Sequence, residues 1–138
     1  MMPKKNVELL DCTIRDGGYL NNWDFSRQMV KDVFRQLTKA GVDIVEVGFR
    51  DADQNGPLWR RCPEDELSSI ANTFNRAKLA VMVDYGKTES FHFEEASDSS
   101  IDLIRVAVHR DKIKDAIKLL NQIKKKGYST SIQLMGYS

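Results

Sequence analysis

At 138 residues the chain is about one domain's worth, long enough to bury roughly two thirds of its unfolded surface. Hydrophobic residues make up 41% and charged residues 30%, the balance of a folded globular chain rather than a disordered or fibrous one. Twenty-one Lys and Arg against twenty Asp and Glu leave a net charge of +1, so no global field favours a nucleic acid or an anionic membrane. No apolar run approaches the roughly 20 residues that span a bilayer, and MMPKKNVELL lacks the apolar core of a signal peptide, so a cytoplasmic protein is expected. Cys12 and Cys62 show no CxxC or Cys/His spacing suited to zinc, which predicts two free thiols in a reducing compartment.

In chain order, five β-rich runs alternate with helical patterns: VELLDCTI (7–14), DIVEVGF (43–49), KLAVMVDY (78–85), IDLIRVAV (101–108) and STSIQLMG (129–136). Strand alternating with helix predicts parallel βαβ units. SRQMVKDVFRQLTKAG places Met29, Val30, Val33, Phe34 and Leu37 at helical intervals and stops at Gly41, a C-terminal cap. PEDELSSIANTFNRA opens on Pro63 and three acids, as a helix N-terminus should, with Leu67, Ile70 and Phe74 on one face. TESFHFEEA is a shorter, weaker helical pattern, and DKIKDAIKLLNQIKKKG predicts a helix with Ile113, Ile117, Leu120 and Ile123 inward before Gly127.

Side chains alternate across a strand, so equal parity means a shared face. Asp11, Thr13 and Arg15 form one such row, Glu46 and Gly48 oppose Val45, Val47 and Phe49, and Asp84 opposes Val81, Val83 and Tyr85. Arg105 and His109 oppose Ile104, Val106 and Val108, and Gln133 opposes Ile132 and Leu134. A doubly wound sheet, covered by helices on both sides, should be apolar on both faces of its central strands. One apolar and one polar face instead suits a (β/α)8 barrel, whose lumen serves a site at the C-terminal mouth of the strands. The expected fold is therefore α/β, a TIM-barrel-type parallel sheet in which residues 1–138 supply about five of eight βα units as one domain. Five strands would leave an uncovered edge, so either a missing C-terminal half or a homo-oligomer is expected to cover it.

The stretch LLDCTIRDGGYL sets Arg15 and Asp16 side by side at the predicted end of the first strand, followed by Gly17 and Gly18. An arginine suits a developing oxyanion and an aspartate a divalent metal, while two glycines let the backbone turn and leave room for a substrate. An exposed, salt-bridged turn is the alternative that spacing alone leaves open.

These residues resemble the first-strand motif D-x-T-x-R-D-G of the DRE-TIM metallolyases, and GVDIVEVGFR resembles the second strand of the same superfamily. Among its branches the chain is most similar to the 4-hydroxy-2-oxovalerate aldolase-like proteins, over their N-terminal portion only. The resemblance implies a metal-dependent lyase that makes or breaks a carbon–carbon bond in a small oxo or hydroxy acid through an enolate. It implies Asp16 as a ligand of a divalent cation, Mg or Mn, Arg15 as the residue stabilising the enolate oxygen, and Glu46 as the group orienting Arg15. Where those aldolases carry a His after the Asp-Gly pair this chain has Tyr19, and a phenol is a poor general base at neutral pH. The superfamily completes its metal site with a His-x-His pair from the seventh strand, and no such pair occurs among these 138 residues. On its own the chain is therefore expected to be inactive, and a non-catalytic half-barrel that binds a small acid or a partner is the competing reading.

Arg105 is a candidate for a substrate carboxylate, or for an ion pair with Asp84 or Asp11, and His109 is placed for a role at the mouth. His92 reads as a partly exposed helix residue. In the long loop RDADQNGPLWRRCPED, Trp59, Arg60 and Arg61 either bind an anionic group or form an exposed mixed surface.

Overall fold

In the computed structural model, which describes residues 7–72 and 75–136, five strands stand in sequence order in one parallel sheet. They are β1 Leu10–Asp11, β2 Ile44–Phe49, β3 Lys78–Asp84, β4 Leu103–His109 and β5 Ser129–Met135. An order that never reverses has no doubly wound switch point. It winds one way, as a barrel does, and the sheet curls into a half-barrel flanked by helices.

The predicted helices form where their signals lie. In α2, Arg27–Lys39, the Ser26 side chain caps the start by accepting from the Met29 amide at 3.1 Å, Val30 and Phe34 are buried, and Gly41 follows the end at φ +84°. After the short α3, Leu58–Arg61, helix α4, Glu64–Ala71, keeps the acidic first turn and buries Leu67 and Ile70. Phe74 lies outside the described residues. In α5, Ile113–Lys125, the buried side chains are Ala116, Leu119 and Ile123, while Ile117 is exposed. The inward stripe is thus rotated from the predicted one, toward Ala116 and Leu119. Segment 88–96 forms 3₁₀ turns, Ser90–His92 and Ala96–Asp98, instead of a helix. Here the Glu89 and His92 side chains satisfy local backbone groups within a single turn.

Two departures shape the inner face. First, the run 7–14 is not one strand: β1 is two residues long and α1, Thr13–Asn21, starts at once. Asp11 nucleates that helix, accepting from the Thr13 amide at 3.0 Å and from the Thr13 hydroxyl at 2.9 Å. The expected row of Asp11, Thr13 and Arg15 therefore does not exist, and the register sets Asp11 beside Val45 rather than Glu46.

Second, β2 carries a bulge between Glu46 and Gly48. Glu46 pairs with Ala80, but one residue is then skipped, so Gly48 pairs with Val81 and Phe49 with Met82. The extra residue reverses the parity of everything beyond it. Gly48 joins the helix-covered face, where a Cβ would lie 2.1 Å from the Trp59 carbonyl oxygen, and Phe49 turns to the inner face. The predicted grouping of Phe49 with Val45 and Val47 is corrected accordingly.

Candidate active site

Four side chains from four elements form one polar chain across the inner face. Glu46 of β2 is fully buried. Arg15 reaches it from α1, its Nε donating to Oε1 at 2.7 Å, and Arg105 of β4 donates from one nitrogen to both carboxylate oxygens at 3.0 Å. The other terminal nitrogen of Arg105 donates to Gln133 Oε1 on β5 at 2.5 Å. A buried carboxylate without partners would be very costly, so two guanidinium groups closing on Glu46 are what allows it there. Burial alone would lower the Arg15 pKa, but the hydrogen bond and the charge of Glu46 outweigh it and leave it above the ordinary value. Arg15 is a fixed cation at any working pH.

Arg15 thus comes to the site from a helix, not from a strand end. The room that Gly18 leaves is filled from within: a Cβ there would meet the Trp23 indole at 2.1 Å, and that indole donates to the Arg15 carbonyl at 2.9 Å. Gly17 and Gly18 are helical and do not form the predicted turn, and the room at Gly18 is taken by Trp23.

Beside this chain lies an aromatic cluster. The Tyr19 ring packs edge-on to Trp23 at 4.6 Å and Phe49 at 6.2 Å between centroids, with Tyr19 itself 62% exposed. The Arg60 guanidinium lies 3.8 Å above the Phe49 ring and pairs with Asp51 and with Asp84, the latter at 3.3 Å. Lys87 adds a second partner to Asp84 at 3.4 Å. Asp51 Oδ1 is buried with no hydrogen-bond partner among the described residues, and burial pushes the Asp51 carboxyl above its ordinary range against the pull of Arg60.

The sequence-derived candidates therefore separate into groups. Arg15, Glu46 and Arg105 are brought together directly. Arg105 pairs with neither Asp84 nor Asp11, because the register puts it within reach of Glu46 and Gln133 while Arg60 occupies Asp84. His109, at the C-terminal end of β4, is exposed and helps line a cavity of about 270 Å³ with Asp84, Ala107 and Met135. His92 stands apart, its Nδ1 accepting from the Glu89 amide at 3.0 Å. Trp59 is wholly buried, donating to the Phe25 carbonyl at 2.8 Å, and Arg61 donates to the Gly56 carbonyl at 2.8 Å, so neither fits the predicted anion-binding or exposed loop. Both cysteines are unpaired.

Phe49 and Trp23 were not legible as site residues. A bulge reaiming Phe49 leaves no trace in alternation, although Gly48 beside it was the available signal.

Asp16 has a carboxylate 70% exposed, 3.2 Å from an Arg15 nitrogen. Among the described residues no three His, Cys, Asp or Glu side chains gather as ligands. A divalent cation held by protein needs about three, so this chain by itself does not fit one. Nor, among those residues, is any helix long and apolar enough to cross a membrane.

No family model matches the chain. Its sequence is 29% identical over 110 residues to 4-hydroxy-2-oxovalerate aldolase 6 of Rhodococcus jostii, covering 77% of this chain and 31% of that protein. It is 30% identical over 103 residues to the 4-hydroxy-2-oxovalerate aldolase of a Roseiflexus species, covering 72% and 30% respectively. Its fold matches the crystal structure of "the N-terminal domain of a putative aldolase" from Bacteroides vulgatus with a TM-score of 0.79 and 27% identity, over 93% of this chain and 44% of that one. The chain resembles the N-terminal portion of the 4-hydroxy-2-oxovalerate aldolases, as its opening motif implied, and spans about a third of the length of these curated relatives.

Proposed function

We propose that this chain is the N-terminal part of an aldolase-type lyase that cleaves or forms a carbon–carbon bond in a hydroxylated 2-oxo acid, with Arg15 stabilising the enolate oxygen. The observation that carries the reading is the 2.7 Å hydrogen bond by which the buried Glu46 fixes the Arg15 guanidinium. In the cleavage direction the bond between C3 and C4 of a 4-hydroxy-2-oxo acid breaks. The hydroxyl proton passes to a water molecule as the new aldehyde forms, and the bond's electron pair moves onto the 2-oxo group as an enolate. A donor already aimed at that oxygen stabilises the charge without reorganising. Glu46 accepts from both Arg15 and Arg105, and Arg105 donates onward to Gln133, which makes Glu46 and Arg105 positioning residues.

Tyr19 occupies the mouth, where its phenol can hydrogen-bond the substrate and hand a proton to the enolate carbon. His109 and Asp84 border the neighbouring cavity, where a substrate's distal part would lie. Asp16 offers one carboxylate oxygen toward a divalent cation, and any further ligands would have to come from outside this chain. The soluble metabolic role of such a lyase agrees with a cytoplasmic location.

The test is pyruvate release from 4-hydroxy-2-oxo acids by the full-length protein, followed by coupled reduction to lactate. Activity that falls at least about 100-fold in Arg15→Ala supports the reading. A full-length protein inert toward all such acids overturns it.

A second reading, a non-catalytic binding module, draws on β5, which pairs with β4 on one side only and is half-buried along most of its length. Native mass spectrometry showing a stable oligomer of an inert protein would favour it.

A further inference from the structure

We infer that Gln133 is a specificity residue of this site, binding a carboxylate oxygen of the substrate through its side-chain NH₂ group. The inference rests on the reading of the site as one for a 2-oxo acid. Its basis is the contact between Arg105 and Gln133 Oε1 at 2.5 Å. A guanidinium has only donors, so the amide must turn its oxygen to Arg105, and its NH₂ then faces the other way.

Gln133 stands two residues before Met135 on the same face of β5, and Met135 lines the cavity at the strand ends. The register sets Gln133 beside Ala107 and Ala107 beside Asp84, one row nearer the C-terminal ends than Met82, Arg105 and Ser131. The methyl group of Ala107 fills little of the space between Asp84 and Gln133, and the cavity of about 270 Å³ bordered by Asp84, Ala107 and Met135 opens at this level. Asp84 is already engaged by Arg60 and Lys87. Gln133 is half-buried, so its NH₂ can exchange water for a ligand oxygen at little cost. Beneath it Arg105 shares the buried Glu46 with Arg15, so the amide stands directly beside a fixed cation.

Gln133→Glu separates the two sides of the amide. It keeps an oxygen for Arg105 but removes the NH₂ and adds a negative charge. Gln133→Met removes both functions at nearly constant length. Pyruvate is titrated calorimetrically into the full-length protein and both variants, and KM and kcat are compared. The expected result is a pyruvate Kd raised about 10-fold or more in Gln133→Glu and several-fold in Gln133→Met. KM should rise in parallel while kcat stays within about threefold. If Gln133→Glu does not fold, the Kd of Gln133→Met decides. A Kd equal to that of the unaltered protein in both variants, or a loss in Gln133→Met with none in Gln133→Glu, overturns the inference and reduces Gln133 to a support for Arg105. Failure of the unaltered protein to bind pyruvate overturns instead the functional reading beneath it, and this inference with it.

Discussion

Arg15 and Glu46 are 31 residues apart in sequence, yet the Arg15 Nε donates to a Glu46 oxygen at 2.7 Å on a carboxylate with no exposed surface. One buried glutamate is shared by two arginines, so its loss leaves Arg105 on the neutral Gln133 and Arg15 on the exposed Asp16. Glu46→Ala is expected to destabilise the protein by about 3–5 kcal/mol, the cost of breaking a buried pair by removing one partner. Glu46→Gln, which keeps an acceptor oxygen, should cost less but still reduce the grip on Arg15. Urea denaturation of the two variants checks the order, and equal stability for all three proteins would contradict the arrangement.

Gly48 sits where β2 changes parity. A methyl group there would collide with the Trp59 carbonyl at 2.1 Å and the Cys62 sulfur at 2.7 Å, and backbone cannot give way as a flexible side chain can. Gly48→Ala is expected to destabilise by about 1–3 kcal/mol through overpacking. Because the bulge aims Phe49, the same change should disturb the stack of Arg60 on Phe49. The melting temperature and the near-ultraviolet circular dichroism of the aromatic cluster should therefore shift together.

Arg60 is held by shape as much as by charge, its guanidinium 3.8 Å over the Phe49 ring and paired with Asp51 and Asp84. A lysine keeps the charge but loses the planar fork and the stack. Arg60→Lys should cost about 1–2 kcal/mol, a loss read by chemical denaturation and little changed by salt, because the contribution that disappears is packing over an aromatic ring. Recovery of full stability in Arg60→Lys would mean that the charge alone matters.

The fold class was legible because it rests on periodicity over long stretches. Four of the five strands and the helices α2, α4 and α5 follow alternation, capping and glycine stops that local residues specify. The site was legible in its members rather than its geometry. Glu46 and Arg105 read correctly as polar inclusions in apolar strands, but which acid Arg105 meets depends on register between strands 59 residues apart, which no local pattern encodes. Arg15 lies on a helix where the apolar alternation predicts a strand, because the hydrogen bonds from Thr13 to Asp11 outweigh the β preference of Thr13 and Ile14. Trp59 was misread because the surrounding arginines and acids look like a polar loop, while its fit against Gly48 is a tertiary fact.

Cys62 gives a pH signature. Full burial pushes its thiol from an ordinary 9.0 up to about 12. The unfolded chain therefore releases this proton at lower pH than the folded one. The stabilisation is complete below about 9 and is lost as pH rises toward about 12, a gap worth roughly 4 kcal/mol. Cys62→Ala should show a shallower fall in stability over this window than the unaltered protein, measured by denaturation at stepped pH. At neutral pH a thiol reagent should label the partly exposed Cys12 in the folded state and Cys62 only after denaturant is added.

Tyr19 is where ring and hydroxyl can be told apart. Its ring packs on Trp23 and Phe49, whereas most of the residue is exposed. Tyr19→Phe preserves that packing, so its melting temperature should stay within about 2 °C, since a substitution at the surface costs little. If the phenol serves the reaction as proposed, kcat should nonetheless fall about 10–100-fold, the range of a lost proton-transfer group. Tyr19→His places an imidazole at the same point of α1, a group that titrates near pH ~6.5 when unperturbed. The kcat profile of that variant should gain an ionisation in the neutral range that the tyrosine enzyme lacks, rising with pH as the imidazole becomes a competent base. A Tyr19→Phe variant with unchanged kcat, together with a Tyr19→His profile showing no new ionisation, would assign Tyr19 to packing alone and leave Arg15 and Asp16 as the residues of α1 in the proposed chemistry.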